Sequence, residues 1–262
     1  MTSLKKLQRN WESLAQEDPL WSICTDPEKR HQRWDIDEFF ATGKHEINVV
    51  MEHLRNLEIP IDRSAAALDF GCGVGRLTRA LAEYFPECWG VDISPTMIRL
   101  AEDFNSSYPR CRFLLNQTPD LQIFEDRFFG FIYTSIVFQH IERSYVEKYL
   151  AELIRPLKSG GVLVFQIVDR FQAGVVAKLR HKLRIRSRMS RLLKTGQDIS
   201  RMEMHCIPET HMRSVLNSLG VRIADIRRTN SAETSFNGNL QFLDHDPERG
   251  FISKQYCVIK DA

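Results

Sequence analysis

Three glycines at alternate positions follow an acidic residue in the segment ALDFGCGVGRL. The acid is Asp69, and the glycines are Gly71, Gly73 and Gly75. Glycine adopts backbone angles that other residues avoid, and it lets a ligand approach the main chain. Because helical spacing begins near Gly75, the turn also offers free backbone N–H groups at the start of a helix. The pattern predicts a loop that binds a ligand, against the simpler interpretation of a tight turn that binds nothing.

A second acidic residue, Asp92, follows in the segment WGVDIS. It comes about twenty residues after the glycines, the distance at which a carboxylate reaches a ribose in nucleotide-binding folds. Both ribose hydroxyls can donate to one carboxylate, so an adenosine-containing ligand is favoured. A nicotinamide dinucleotide is disfavoured, because the fingerprint G-x-G-x-x-G beginning at Gly71 needs glycine where this chain has Arg76.

Parallel strands would bring these residues to one edge of a sheet. Apolar runs of strand length alternate with amphipathic helical segments, which is typical of a doubly wound α/β fold with a mostly parallel sheet. The predicted strands are 65–70, 88–92, 111–115, 129–134 and 162–168, and the helices between them are 75–84, 95–104 and 144–157. Two later runs, 221–228 and 254–260, have no helical pattern between them, so they should pair antiparallel at the end of the sheet. Helices are also predicted at 3–16 and 44–59.

The composition predicts a soluble, globular chain. Its 262 residues include 43% hydrophobic residues, enough to bury a full core. The first residues, MTSLKKLQRNWES, lack the apolar stretch of a secretory signal, so a cytoplasmic location is expected. The six cysteines contain no C-x-x-C pair, and no carboxylate and histidine cluster has metal-ligand spacing. Neither a disulfide framework nor a metal site is therefore expected.

Four segments resemble the successive motifs of the class I S-adenosylmethionine-dependent methyltransferases, in the order and at the intervals usual for that family. They are ALDFGCGVGRL, WGVDISPTMI, FFGFIYTSIVFQHI and IRPLKSGGVLVFQI. The resemblance implies S-adenosylmethionine as the cofactor and a Rossmann-like sheet of seven strands. The single domain, 1–262, would then comprise an N-terminal helical extension (1–60), a cofactor-binding core (61–168), a basic helical lid insertion (169–208) and a C-terminal helix with antiparallel strands (209–262).

The same resemblance implies roles for individual residues. Asp69 and the three glycines would hold the methionine part of the cofactor, and Asp92 would bind the ribose hydroxyls. Further contacts are implied for Ile93 and Met97 at the adenine, Asn116 at the adenine amino group, and Ser135 and Ile136 beside the sulfonium. Gly130 departs from the family, which usually has Asp there to support a loop. The segment FFATG, 39–43, resembles one that closes over the cofactor.

His140 is the candidate general base. It lies in VFQHIE just beyond the fourth predicted strand, on the side of the sheet expected to hold the cofactor. Imidazole titrates near neutrality, which suits removal of a proton from an acceptor. The alternative is that His140 only holds the loop through a hydrogen bond to the backbone. Glu203 and His205, in RMEMHCI, are second candidates because their segment could fold over the pocket.

The segment from Arg170 to Arg201 contains ten basic residues and one acid. The resemblance places a substrate lid at this position in the chain. Three interpretations stay open: a solvated lid, a surface for an anionic acceptor or a membrane, and a contact with RNA, of which nucleic acid is the least favoured. The oligomeric state is not predicted.

The expected methyl acceptor is a small-molecule hydroxyl, on a sugar or a secondary metabolite, methylated by direct displacement without a metal. The segment TSIVFQ stands where methyltransferases of nucleobases and amide nitrogens carry an N-P-P-Y type motif. Two rival classes are a nicotinamide-dependent oxidoreductase and an adenosyl-binding scaffold without catalysis.

Overall fold

The computed structural model describes residues 3–172, 202–233 and 236–261. Its strands are β1 (Ala66–Phe70), β2 (Cys88–Asp92), β3 (Cys111–Leu115), β4 (Phe129–Thr134), β5 (Leu157–Gln172), β6 (Val221–Thr229), β7 (Phe242–Leu243) and β8 (Gly250–Lys260). Its α-helices are α1 (Ser3–Glu17), α2 (Pro19–Ile23), α3 (Ile36–Asn56), α4 (Arg76–Leu81), α5 (Pro95–Phe104), α6 (Arg143–Ile154) and α7 (Glu209–Ser218). Short 3-10 helices lie at Pro27–Lys29 and Phe138–His140.

All eight strands form one sheet in the order β3-β2-β1-β4-β5-β8-β6-β7. β1 to β5 pair in parallel, whereas β8 runs antiparallel to both β5 and β6. The predicted doubly wound sheet with antiparallel strands at its end is confirmed. It has eight strands rather than seven because the two-residue β7 pairs with the end of β6. A strand of two residues is too short to produce a hydrophobic pattern.

Helices cover both faces of the sheet. On one face α6 and α7 contribute Val146, Leu150, Leu153, Met212 and Leu216 to a buried cluster with the strands. On the other face α3 and α4 contribute Ile47, Val50, Leu54, Leu77 and Leu81. Because both faces are covered, β1 and β4 are buried at every position and read as continuous apolar runs.

The N-terminal segment forms a third cluster beside the glycine turn. Trp21, Trp34, Phe39 and Phe40 pack there with Val74. The FFATG segment thus lies inside α3, and its two phenylalanines belong to this core.

β5 is longer than predicted and reaches Gln172, so the predicted insertion, 169–208, begins within this strand. Most of the basic segment, 173–201, lies outside the described residues, and so does the helix predicted there. Within the described ranges, no helix is both long and apolar enough to cross a bilayer.

Candidate active site

A cavity of about 510 Å³ opens where β1, β2 and β4 end. This is the carboxyl edge of the sheet, where ligands bind in doubly wound folds. On the side of the sheet the cavity is lined by the glycine turn, the end of β2, and the segment after β4. On the opposite side it is lined by α1, α2 and later residues from 202–204, 231–233, Phe236 and β8.

Gly71 and Gly73 line this cavity, and both need to be glycine. Their φ angles are +77° and +54°, in the left-handed region that favours glycine. A Cβ on Gly71 would lie 2.3 Å from Val137 Cγ2, and one on Gly73 would lie 2.5 Å from Ile23 Cδ1. The turn therefore lies close under two neighbouring segments as well as facing the cavity.

Gly75 precedes α4 with a φ of +83° and lies outside the cavity lining. A Cβ there would lie 2.6 Å from Asn105 Nδ2 and 2.7 Å from Phe113 Cζ. Gly75 thus permits the close packing of the turn against neighbouring side chains, and its contact with the cofactor stays a prediction.

Asp69 is 1% exposed and lies outside the cavity lining. Thr78 Oγ1 donates to Asp69 Oδ2 at 2.7 Å, which ties β1 to α4. Its buried Oδ1 has no hydrogen-bond partner among the described residues. Burial raises the pKa of this carboxyl to about 7. Asp69 therefore supports the turn, and its contact with the methionine part of the cofactor stays a prediction.

Asp92 lines the cavity as predicted. Its Oδ2 accepts a hydrogen bond from the backbone N–H of Gly73 at 2.9 Å, and its Oδ1 accepts one from Ser94 N–H at 2.9 Å. Each carboxylate oxygen keeps a second lone pair for a ligand. Burial raises the pKa of Asp92 above its ordinary value, although these backbone N–H groups act to lower it. Asp92 thus joins the end of β2 to the glycine turn and presents acceptors to the cavity.

The other predicted cofactor contacts also lie around this cavity, which is lined by Ile93, Met97, Asn116, Ser135 and Ile136. The amide of Asn116 is engaged within its own loop, because Oδ1 accepts from Thr118 Oγ1 at 2.7 Å and Nδ2 donates to the Asp120 carbonyl at 2.6 Å. Asn116 therefore shapes the loop wall, and its Oδ1 is less available to an adenine than predicted. Ile136 has a φ of +54°, a strained angle for a β-branched residue.

Arg76 is a cavity residue that the sequence interpretation missed. Its side chain is 2% exposed and lines the cavity. Nη2 donates to Glu46 Oε2 at 2.7 Å, and Nη1 donates to Thr42 Oγ1 at 3.2 Å. Tyr133 donates its hydroxyl to the other oxygen of Glu46 at 2.8 Å. Buried Nε has no hydrogen-bond partner among the described residues, so it suits an anionic group of a ligand. The only sequence signal was an arginine where a dinucleotide fold needs glycine.

His140 lines the cavity, but both of its ring nitrogens are engaged. Nδ1 lies 2.8 Å from the Glu203 carbonyl oxygen, and Nε2 lies 3.1 Å from Gln139 Nε2. Trp11 packs edge-on against the ring at 5.1 Å between centroids. Burial lowers the pKa of His140 to about 4. The imidazole is therefore neutral near pH 7, and it can accept a proton only after Gln139 releases Nε2.

The second base candidates do not join the main cavity. Glu203 forms an ion pair with Lys6, and the backbone N–H of His205 donates to the Gln139 carbonyl at 2.7 Å. Both residues line a small adjoining hollow of about 20 Å³ between α1 and the segment after β4. Their backbones thus hold the His140 loop in place.

Residues 68–165, which run from β1 into β5, match the family described as "Methyltransferase domain". This stretch of the chain is therefore a methyltransferase domain. The matched residues include the glycine turn, Asp92 and His140, so the cavity belongs to the methyltransferase domain.

Two curated relatives match part of the chain. Phosphoethanolamine N-methyltransferase of Triticum aestivum is 27% identical over 118 residues, which are 44% of this chain and 23% of the relative. Malonyl-[acyl-carrier protein] O-methyltransferase of Halalkalibacterium halodurans is 31% identical over 113 residues, which are 40% of this chain and 39% of the relative. The chain thus spans less than half of the length of these curated relatives.

Solved structures share the fold of the methyltransferase domain beyond the matched residues. Magnesium protoporphyrin IX methyltransferase from Synechocystis, with bound S-adenosylhomocysteine (SAH), aligns with a TM-score of 0.63 over 99% of this chain and 100% of its own, at 14% identity. A S-adenosylmethionine-dependent methyltransferase from Clostridium acetobutylicum aligns with a TM-score of 0.58 over 90% of this chain and 97% of its own, at 17% identity.

Proposed function

We propose that the chain transfers a methyl group from S-adenosylmethionine to a hydroxyl oxygen of a small, largely apolar metabolite. The observation that carries this proposal is the cavity of about 510 Å³, which runs from the glycine turn to a largely apolar wall outside the matched domain. Its volume lies within the range of small-molecule sites, roughly 300 to 1,000 Å³. The cavity is therefore large enough for a cofactor at one end and part of an acceptor at the other.

The wall opposite the glycine turn determines the proposed acceptor. Its larger side chains are mostly aromatic, thioether or aliphatic, and they include Leu7, Trp11, Trp21, Met202, Met204, Phe236 and Phe251, while its polar members include Thr25, Arg30, Ser231 and Glu233. A sugar has several hydroxyl groups, and each would lose hydrogen bonds to water against such a wall. An apolar body with one reactive hydroxyl loses far less. Of the two acceptors expected from the sequence, we therefore favour the secondary metabolite over the sugar.

The side of the cavity formed by the glycine turn and the end of β2 fits the cofactor. Asp92 offers two carboxylate oxygens to ribose hydroxyls, and the unpartnered Nε of Arg76 offers a donor to the carboxylate of the amino-acid part. Met97 and Ile93 would pack against the adenine. When bound, S-adenosylmethionine supplies an electrophilic methyl group on a positively charged sulfur. The chain's own residues then hold the acceptor in line with that methyl group and exclude water from it.

The methylated atom is proposed to be oxygen for a sequence reason. The printed names of the two curated relatives include one N-methyltransferase and one O-methyltransferase, so they do not decide between the atoms. The segment after β4 reads TSIVFQ and lacks the N-P-P-Y type motif of enzymes that methylate nucleobase or amide nitrogens. Acceptors such as RNA or an anionic membrane component depend on the basic segment, and they stay predictions.

Binding of the cofactor tests the first half of the proposal. We expect Asp92→Asn to weaken SAH binding by about tenfold or more, because a carboxylate acceptor of two hydroxyls becomes a neutral group with one acceptor. Isothermal titration calorimetry measures this change, with exposed Asp103→Asn on α5 as the matched control. Binding of NAD instead of SAH would contradict the proposal.

Turnover tests the second half. We expect SAH release from S-adenosylmethionine with members of a panel of apolar phenols and alcohols, and much less with monosaccharides. Release with sugars alone, or with RNA alone, would reject the proposed acceptor. Tight SAH binding without release for any of these acceptors would favour the adenosyl-binding scaffold.

A further inference from the structure

Buried side-chain hydrogen bonds connect the segment after β4 with β5, β8 and β6. At the centre is Gln166 on β5, which is 1% exposed. Gln166 Oε1 accepts from the backbone N–H of Ile136 at 3.0 Å, and its Nε2 donates to Gln139 Oε1 at 3.1 Å and to Ser253 Oγ at 2.7 Å. Ser253 Oγ lies 2.9 Å from Thr229 Oγ1 on the neighbouring strand. Every hydrogen-bonding atom of the Gln166 amide is thus engaged.

At each end of this series of hydrogen bonds lies a backbone group that can only donate or can only accept. At one end, the backbone N–H of Ile136 can only donate, so it must face Gln166 Oε1 and leave Nε2 for Gln139. Gln139 must then present Oε1 to Gln166 and Nε2 to His140. At the other end, the Glu203 carbonyl can only accept, so His140 must carry its proton on Nδ1. Both ends require the same direction of hydrogen bonding.

This direction leaves Gln139 with one N–H group to spare. An amide nitrogen has two N–H groups, and among the described residues Gln139 Nε2 makes one hydrogen bond, to His140. Gln139 is 6% exposed and lines the cavity beside Ile136 and His140. A buried donor without a partner is rare in folded proteins unless a ligand or water pairs with it. Gln139 contributes to the cavity wall where the segment after β4 lies, so a ligand in the cavity could supply this partner.

We propose that Gln139 donates this second N–H to an oxygen atom of the methyl acceptor, in an orientation that Gln166 and His140 fix. The inference rests on the proposed function, since it needs an acceptor in this cavity. It assigns His140 a positioning role, because its Nε2 holds the Gln139 amide in place. It also assigns the site a preference for acceptors with an oxygen lone pair at the reacting end.

Two ligands that differ in one hydroxyl group test this inference. Thymol and cymene share the same ring and alkyl groups, and only thymol carries a hydroxyl. With SAH-saturated protein, we expect thymol to bind more tightly than cymene, and Gln139→Leu to reduce this preference by about fivefold. Gln122→Leu, at an exposed glutamine, is the matched control. Equal affinities in the wild type, or an unchanged preference in Gln139→Leu, would overturn the inference.

The tautomer of His140 gives a readout that does not need an acceptor. Nitrogen NMR shifts should show the Nδ1–H form in the wild-type protein. Gln166→Glu replaces the donor to Gln139 with an acceptor, so the Gln139 amide should reverse and present Oε1 to His140 Nε2. Because the Glu203 carbonyl still only accepts from Nδ1, both ring nitrogens then face acceptors, and His140 should take up a second proton. An Nε2–H form in the wild type, or no change in Gln166→Glu, would reject the proposed orientation. A failure of the proposed function would appear in the wild type as loss of SAH binding, or as no SAH release with any apolar alcohol or phenol of the panel. A failure of this inference alone would leave both wild-type measurements unchanged.

Discussion

His140 shows at the residue scale how burial changes a chemically suitable side chain. In water an imidazole is half-protonated near pH 6.5, which made His140 the candidate base in the sequence. In the structure, burial lowers its pKa to about 4, although the hydrogen bond with the Glu203 carbonyl acts to raise it. The predicted catalytic role of His140 stays a prediction, but the geometry favours the alternative of a loop-holding residue.

The lowered pKa predicts how stability depends on pH. The unfolded chain binds a proton at His140 below its ordinary pKa of 6.5, whereas the folded chain binds it only near 4. The contribution of the neutral His140 to the free energy of unfolding should therefore be complete above about pH 6.5. It should fall by up to about 3 kcal/mol as the pH drops to 4. Urea denaturation of the wild type and His140→Gln at several pH values measures this contribution.

His31→Gln, at an exposed histidine, is the control and should keep the wild-type pH dependence. If His140→Gln and the wild type lose stability equally between these pH values, His140 is not a buried neutral imidazole.

At the scale of elements, one carboxylate fastens α1 over the cavity. Glu12 Oε2 accepts from Ser94 Oγ at 2.6 Å, and Oε1 accepts from Thr96 Oγ1 at 2.6 Å. Partial burial acts to raise the pKa of Glu12, but the hydrogen bonds from Ser94 and Thr96 outweigh it and lower the pKa. Since Leu7 and Trp11 on α1 line the cavity, α1 must move for a ligand to leave by this side.

We expect Glu12→Ala to increase the rate of SAH dissociation by roughly threefold to tenfold, because α1 loses charge-assisted hydrogen bonds to the start of α5. Stopped-flow displacement measures the rate. Glu102→Ala, at an exposed glutamate within α5, should leave the rate unchanged. An unchanged rate in Glu12→Ala would show that ligands leave without movement of α1.

At the scale of the whole molecule, a buried ion pair joins the N-terminal helices to the methyltransferase domain. Arg76 and Glu46 are 2% and 0% exposed, and Tyr133 on β4 donates to the same carboxylate. A buried pair is not in itself strongly stabilising, because both charges lose hydration. Removing one partner is different, since the other charge is left without compensation.

Glu46→Gln should therefore destabilise the fold by about 3 to 5 kcal/mol. The double variant Glu46→Leu with Arg76→Leu should lose less than Glu46→Gln alone. Urea denaturation measures both. The exposed pair of Lys44 and Glu83 is the matched control, and Glu83→Gln should cost less than about 1 kcal/mol. A small effect of Glu46→Gln would mean that water reaches Arg76 in solution.

The sheet was predictable because β1 to β5 alternate with helices, and the hydrophobic periodicity of each element can be read from a short stretch of sequence. The direction in which each strand side chain points was not predictable. β1 is buried on both sides, so its apolar run has no alternation that could tell whether Asp69 points toward the cavity or behind the turn. The position of Asp92 was predictable because it is the last residue of its strand. A side chain there lies at the carboxyl edge of the sheet, whichever face of the strand it is on.

Contacts with distant backbone could not be predicted either. The partner of His140 is a carbonyl oxygen of Glu203, a group that every residue carries and that leaves no mark in the sequence. The short α2 and the start of α3 were missed for a related reason. They pack through scattered aromatic residues such as Trp21 and Phe39, which do not form a helical stripe.

Arg76 makes the ligand preference of the glycine turn inseparable from folding. A nicotinamide-binding turn would need glycine at this position, but that change alone would strand the carboxylate of Glu46 in the core. Compensation would have to come from α3 and from Tyr133 at the same time. A single Arg76→Gly change should therefore lower the free energy of unfolding as well as alter the turn, so one buried residue connects the ligand preference of the turn with the stability of the core.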